Sequence, residues 1–264
     1  MNKSNAFFGL LWALLAVVLG GCQLDKPTLP IPLTPTPTAG QPSAWTPLAN
    51  GLTWRTLTPE SNTLQQVVAL KIDPAYYRFR AHYQPGQPLG MYEWQTQYPQ
   101  AVAFINANFF TPENTITGLL VADGVAYGSA YRGFGGLFTV INGVPRVRST
   151  AIEPYQGEPL EQAVQAFPML IANGVIVYDA SQSDRTTRRT AIAQDKNGHI
   201  ILLATPLTGI SLERLSQLLA QEDLHIVNAF NLDGGGSTMM YIQPNDFRLT
   251  SFDPVPAILA IYPQ

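Results

Sequence analysis

Apolar residues in this chain fall into short runs, some alternating with polar positions and some continuous, closed at their ends by Gly, Pro, Asn or Asp. Residues 64–72, 101–105, 118–121, 136–141, 168–171 and 175–178 follow that pattern and predict β-strands. Asp123-Gly124, Asn142-Gly143, Asn173-Gly174 and Asn197-Gly198 are turn pairs. The last of them joins 190–193 to 200–204 as a hairpin. Leu212, Leu215, Leu218 and Leu219 recur at helical spacing behind Ser211, a natural N-cap. Residues 89–98 and 159–165 are read as further short helices. Residues 225–232 form a largely apolar strand, and 239–242 a second one. Many strands with few helices predict an α+β fold, a single domain of antiparallel or mixed β-sheet over residues 48–264.

The chain opens differently. Lys3 precedes an apolar stretch over 6–21, too short for the ~20 residues that cross a bilayer comfortably. Leu19-Gly20-Gly21-Cys22 follows and resembles a bacterial lipobox. That resemblance implies a signal peptide over 1–21 and a lipid on Cys22 that anchors the protein to a membrane of the bacterial cell envelope. Gln23, rather than Asp, after the cysteine is compatible with the outer membrane of a Gram-negative cell. Residues 22–47 are rich in Pro and Thr, with prolines at 27, 30, 32, 35, 37, 42 and 47. Proline fixes φ and lacks a backbone donor, so this segment reads as an extended tether.

Composition removes several functions. Charged residues make up 12%, about half the usual share, and the net charge of −3 gives no basic footprint for nucleic acid. One cysteine excludes an intrachain disulfide and a cysteine-rich zinc site. His82, His199 and His225 are too dispersed to suggest a histidine metal cluster. No cofactor is expected; a divalent cation near Asp233 stays open, but no ligand spacing supports one.

The chemical signal lies between the last two strands, in Asn231-Leu232-Asp233-Gly234-Gly235-Gly236-Ser237-Thr238. A carboxylate at the end of a buried strand is costly to desolvate without partners. Three glycines expose backbone N–H groups that suit an anion. Ser237 and Thr238 add hydroxyls. The loop lacks the lysine of a P-loop and does not open a helix in the dinucleotide-binding manner. A glycine-rich hairpin capped by Asp is the plainer alternative.

This segment resembles the NLDGGGS signature of the phosphodiester glycosidase family. Phe104-Ile105-Asn106-Ala107-Asn108-Phe109-Phe110 is similar to the family's INGGFF segment, with Ala-Asn in place of Gly-Gly. Residues 118–124, 167–174 and Arg189-Thr190-Ala191-Ile192 resemble further family segments, in the family's order. The resemblance implies hydrolysis of a sugar-1-phosphodiester at the anomeric carbon, giving a free sugar and a phosphomonoester. On that basis Asp233 is expected as the catalytic carboxylate and Arg189 as the phosphate clamp, since guanidinium grips phosphate bidentately. Gly234, Gly235 and Gly236 are expected as backbone donors, assisted by Ser237 and Thr238, while Asn106 and Asn231 orient the substrate. Glu93, Glu113, Asp179 and Asp184 read as surface charges, and no second catalytic carboxylate is identified. Phe109, Phe110, Tyr131 and Phe134 read as core, with stacking on a sugar as the alternative. The rival function is a non-catalytic envelope lipoprotein that binds sugar phosphates or cell-wall glycans. The sequence leaves the oligomeric state open.

Overall fold

A computed structural model describes residues 44–264 apart from 60, 61, 63, 182–184, 207 and the side chain of residue 222. The signal peptide, the Cys22 lipidation site and residues 22–43 of the tether lie outside the described residues, as does Asp184. In chain order the strands are β1 (Thr46–Ala49), β2 (Leu52–Leu57), β3 (Val67–Ile72), β4 (Tyr77–Tyr83), β5 (Ala103–Asn106), β6 (Leu119–Ala122), β7 (Val125–Gly128), β8 (Gly136–Ile141), β9 (Val144–Ser149), β10 (Gln162–Ala166), β11 (Met169–Ala172), β12 (Val175–Ile176), β13 (Thr190–Asp195), β14 (Ile200–Ala204), β15 (Ile226–Asn231), β16 (Met240–Ile242), β17 (Phe247–Leu249) and β18 (Ala257–Pro263). The helices are α1 (Met91–Gln97) and α2 (Leu212–Leu219). β1 takes Thr46 and Pro47, placed by sequence in the tether, into the first sheet.

Three antiparallel sheets result. One runs β1-β2-β3-β14-β13-β15-β11-β12, a second β7-β6-β10-β8-β9, and a third β17-β16-β5-β18-β4. Side-chain alternation explains how they pack. In β14, Ile200, Leu202 and Ala204 enter the central core, while Ile201 and Leu203 face α2 with its Leu212, Leu215, Leu218 and Leu219. In β18, Leu259 and Ile261 enter that same core, and Ile258, Ala260 and Tyr262 face Met91 and Trp94 of α1. Both runs are apolar throughout because both of their faces are covered. Ser211 caps α2, its Oγ accepting from Arg214 N at 3.2 Å.

The α+β expectation holds, with two helices among the described residues. Residues 159–165, expected as helix, instead contribute most of β10, an interior strand paired to β6 and β8. Its glutamines mimic a polar helix face but are buried tie points. Gln165 Oε1 accepts from Leu119 N at 3.1 Å and Tyr131 N at 2.8 Å, and Gln162 Oε1 from Ala81 N at 2.9 Å.

β15 belongs to the first sheet and β16 to the third, so residues 232–239 form the crossing between them. Three strand ends meet at that crossing: the end of β5, the start of β13 and the end of β15.

Candidate active site

Asn106, the last residue of β5, holds the crossing together. Its Nδ2 donates to Asp233 O at 2.7 Å, and its Oδ1 accepts from Thr190 Oγ1 at 2.7 Å and Met239 N at 3.0 Å. It is buried, and three bonds commit its amide to β13 and to both ends of the loop. Its geometry is that of a brace for Asp233, where the sequence reading had it facing substrate.

Asp233 N donates to Ala107 O at 3.1 Å, and the carboxyl is only partly exposed. Burial pushes that carboxyl up to about 6, against the lowering effect of the Ser237 hydroxyl and of the Gly234 N–H, which donates at 2.8 Å. The nearby Asp253 carboxylate adds to the rise. A partly buried carboxyl with a pKa near neutrality is a functional candidate on physical grounds.

The glycines are needed for packing as much as for their N–H groups. Gly235 N donates to Arg188 O at 2.8 Å, so two of the three expected anion donors are already engaged. A β-carbon at 234 would stand 2.8 Å from Arg188 O, and one at 236 only 1.8 Å from Asp253 Oδ2. Gly236 O in turn accepts from Phe252 N at 2.7 Å and Asp253 N at 3.2 Å. The Gly236 backbone therefore seats a second carboxylate, Asp253, beside Asp233. No motif marked Asp253 in the sequence, because it comes from the loop before β18.

The arginines divide by strand parity. Thr190 faces Asn106, so Arg188, two residues earlier, shares its side of the sheet. Arg189 turns the other way, where Nε donates to Ile210 O at 3.2 Å and Nη2 to Arg185 O at 2.6 Å. The arginine on the Asp233 side is thus Arg188, not the expected Arg189. Arg188 is 4% exposed and its Nη2 donates to Thr238 O at 2.7 Å and Thr250 O at 2.8 Å. Among the described residues, its buried Nε and Nη1 have no acceptor, and Thr238 Oγ1 beside it is also unpartnered. Desolvation lowers its pKa from the usual guanidinium value, a direction consistent with a cation short of partners. Orphaned charged donors inside a protein are expensive, and an incoming anion would relieve that cost.

Asn231 is buried at the end of β15, its Nδ2 on Phe167 O at 3.1 Å and Leu232 O at 2.6 Å, its Oδ1 without a donor. Asn108 matches it, with Nδ2 on Leu119 O and Gln165 O at 3.0 and 2.9 Å and a buried, unpartnered Oδ1. Of the four aromatics read as core, Phe109 and Phe110 pack against it, while Tyr131 and Phe134 depart from that expectation. Phe134 is exposed, and Phe109 and Tyr131 are only partly buried. Together with Phe167 they form one cluster, with Phe109–Phe167, Tyr131–Phe134 and Tyr131–Phe167 centroids at 4.8, 5.1 and 5.5 Å. Glu93 caps α1 through Gly90 N at 2.7 Å, and Asp179 closes a turn on Ser181. Among the described residues, no three or more His, Cys, Asp or Glu side chains gather as a metal site.

A sequence model described as phosphodiester glycosidase matches residues 99–262. The N-acetylglucosamine-1-phosphodiester alpha-N-acetylglucosaminidase of Bos taurus is 30% identical over 160 residues, covering 50% of this chain and 29% of the relative. That of Mus musculus is 31% identical over 160 residues, covering 50% and 30%. The chain spans about three tenths of the length of these curated relatives. Among solved structures, a hypothetical protein from Synechocystis superposes with a TM-score of 0.60 at 18% identity, over 81% of this chain and 62% of that one. A zebrafish N-acetylglucosamine-1-phosphodiester alpha-N-acetylglucosaminidase catalytic domain, auto-inhibited by its pro-peptide, gives 0.59 at 19% identity over 81% and 82%. At such identities these two likenesses speak to the fold.

Proposed function

Since this chain belongs to the phosphodiester glycosidase family, we propose that it hydrolyses a sugar-1-phosphodiester at the anomeric carbon. Water oxygen bonds to that carbon as the bond to the phosphate oxygen breaks, and the bonding pair leaves with the phosphate. The products are the free sugar and a phosphomonoester. The leaving group is already a stable anion, so the site must chiefly position water and stabilise charge.

Asp233 takes the proton released by the attacking water and faces the positive charge that builds on the sugar. With its pKa near 6, the carboxylate is mostly ionised at neutral pH yet basic enough to accept that proton. Arg188 meets the phosphate with its unpartnered Nε and Nη1. The Phe252 ring, 69% exposed, lies against the guanidinium at 4.4 Å. Asp253 supplies a second carboxylate, and Asn106 acts as a positioning residue. The observation that carries this reading is a carboxyl with a pKa near neutrality on a loop whose far end, Thr238 O, is gripped by a buried arginine with two unanswered donors. Lipidation of Cys22 would hold the enzyme at the cell envelope.

Family membership does not favour the binding-only alternative. The deciding experiment incubates purified protein with the methyl ester of α-N-acetylglucosamine-1-phosphate and related sugar-1-phosphodiesters, and follows reducing sugar. Release that disappears in Asp233→Asn while ligand still binds is the expected result. A folded wild-type protein that releases nothing from any of them refutes the reaction.

A further inference from the structure

The segment before β18 is fastened to the catalytic loop through Arg188 and Gly236. Arg188 Nη2 donates to Thr250 O at 2.8 Å as well as to Thr238 O at 2.7 Å, so one guanidinium ties the segment to the end of the loop. The Phe252 ring lies 4.4 Å from that guanidinium. Phe252 N and Asp253 N both donate to Gly236 O, at 2.7 and 3.2 Å. Asp253 therefore follows directly on the ring that touches Arg188 and stands three residues after a carbonyl that Arg188 grips. Its carboxylate fills the space that a side chain at 236 would occupy, and the residue is exposed to solvent.

Charge at this place is not cancelled within the protein. None of the ion pairs among the described residues includes Arg188, Asp233 or Asp253. Arg188 keeps two unanswered donors, and strand parity turns Arg189 toward Ile210 O instead. A ligand thus meets one cation and two carboxylates. A phosphodiester carries a single negative charge, which one guanidinium matches. A phosphomonoester carries nearly two at neutral pH, since its second pKa is about 6. The added charge finds no second lysine or arginine at this loop among the described residues, and it meets the Asp253 carboxylate. Juxtaposed like charges suppress binding of the wrong ligand.

We propose that Asp253 is the specificity-determining residue that sorts ligands of this site by charge. Its carboxylate, seated on Gly236 by a segment that Arg188 also holds, disfavours the second negative charge of a phosphomonoester. The site accordingly takes diesters, refuses sugar-1-phosphates that lack the second ester bond, and expels its own phosphomonoester product. This role rests on Arg188 holding the phosphate of a phosphodiester glycosidase. It goes beyond that reading by giving Asp253 a task separate from the chemistry at Asp233.

The test compares wild type, Asp253→Asn and Asp253→Glu at about pH 8, where the monoester has lost its second proton. The diester probe is the methyl ester of α-N-acetylglucosamine-1-phosphate, and the monoester probe is α-N-acetylglucosamine-1-phosphate itself. Released reducing sugar gives kcat/KM for each, calorimetry gives the affinity for the monoester, and a thermal melt confirms folding. The preference is read as a ratio, so a general loss of turnover cancels. Asp253→Asn should shrink the preference for the diester roughly 10-fold and bind the monoester roughly 10-fold more tightly than wild type. Asp253→Glu keeps the charge and should keep most of the preference. Because Asp253 is exposed, salt should narrow the wild-type preference more than that of Asp253→Asn. Diester turnover with a preference that Asp253→Asn leaves unchanged overturns the charge role and leaves the reaction standing. A preference lost equally in Asp253→Glu does the same. Wild type that turns over neither ester, with the monoester bound more tightly by Asp253→Asn, supports the charge role and overturns the reaction. Monoester that fails to bind Asp253→Asn, or binds all three proteins alike, overturns the charge role whatever the turnover.

Discussion

Asp233→Asn separates the stability of the site from its chemistry. Burial moves this carboxyl from an ordinary 3.8 to about 6, so holding it ionised inside the native protein costs roughly 2–3 kcal/mol at neutral pH. Between those two values the native state binds more protons at this position than the unfolded chain does. By linkage, this residue's contribution to stability is lost as pH rises through that window and stays lost above it. Asparagine keeps an acceptor for the Ser237 hydroxyl and the Gly234 N–H and carries no charge. The two proteins should therefore be nearly equal in stability around pH 4, and the variant should lead by roughly 2–3 kcal/mol at pH 7. Urea denaturation followed by tryptophan fluorescence at pH 4, 5, 6 and 7 measures the gap, and the contributions of all other groups cancel in the difference. Turnover should vanish in the variant, and wild-type kcat/KM should climb through pH about 6 as the base ionises. A stability gap that is flat with pH, or that favours wild type at pH 7, would refute the desolvation argument.

Other consequences are as direct. Arg188→Lys should lose about 10–100-fold in kcat/KM, because one ammonium cannot keep both backbone carbonyls and still meet a phosphate; Arg189→Ala should keep near-normal turnover and show its loss in a melting curve. Gly234→Ala presses on the Arg188 carbonyl and should cost more than ~1 kcal/mol in denaturation, whereas Gly236→Ala displaces only the exposed Asp253 side chain and should lose activity with little loss of stability. His82 is buried against Tyr98 and bonds Tyr262 Oη at 2.8 Å, and burial, then Arg80, lowers its pKa from 6.5 to about 4. Here the unfolded chain binds more protons, so stability falls as pH drops from 6.5 toward 4; NMR titration of the ring should show the low value, and His82→Phe should flatten that part of the acid limb. On the proposed lipidation of Cys22, Cys22→Ser should abolish incorporation of labelled palmitate and leave the protein in the soluble fraction; a wild type that takes up no label refutes the anchor.

Local backbone geometry is legible in the chain. Asp123-Gly124, Asn142-Gly143 and Asn173-Gly174 all adopt positive φ at both residues, as two-residue hairpin turns require. The hairpin of β13 and β14 and the helix behind Ser211 follow from periods of 2 and 3.6 and a hydroxyl cap. Asp233 also stands out in the sequence, since its loop is unusual in composition and resembles a known signature, and Asn106 lies in a second segment of that resemblance. Such features depend on neighbours within a few residues, which is the range over which sterics and side-chain spacing act.

What tertiary structure alone decided is which of two adjacent residues faces the site and which distant residue joins it. Arg188 and Arg189 are chemically identical in sequence; the pairing of β13 between β14 and β15 sets the parity that sends one to the loop and the other to Ile210. Gln162 and Gln165 read as a helix face until two neighbouring strands enclose β10 and claim their amides. Asp253 comes from the loop before β18 and meets Gly236 only because β15 leaves one sheet and β16 enters another. Local patterns fix what most segments become, though not β10, and a site made by several segments exists only once the sheets have closed around a shared core.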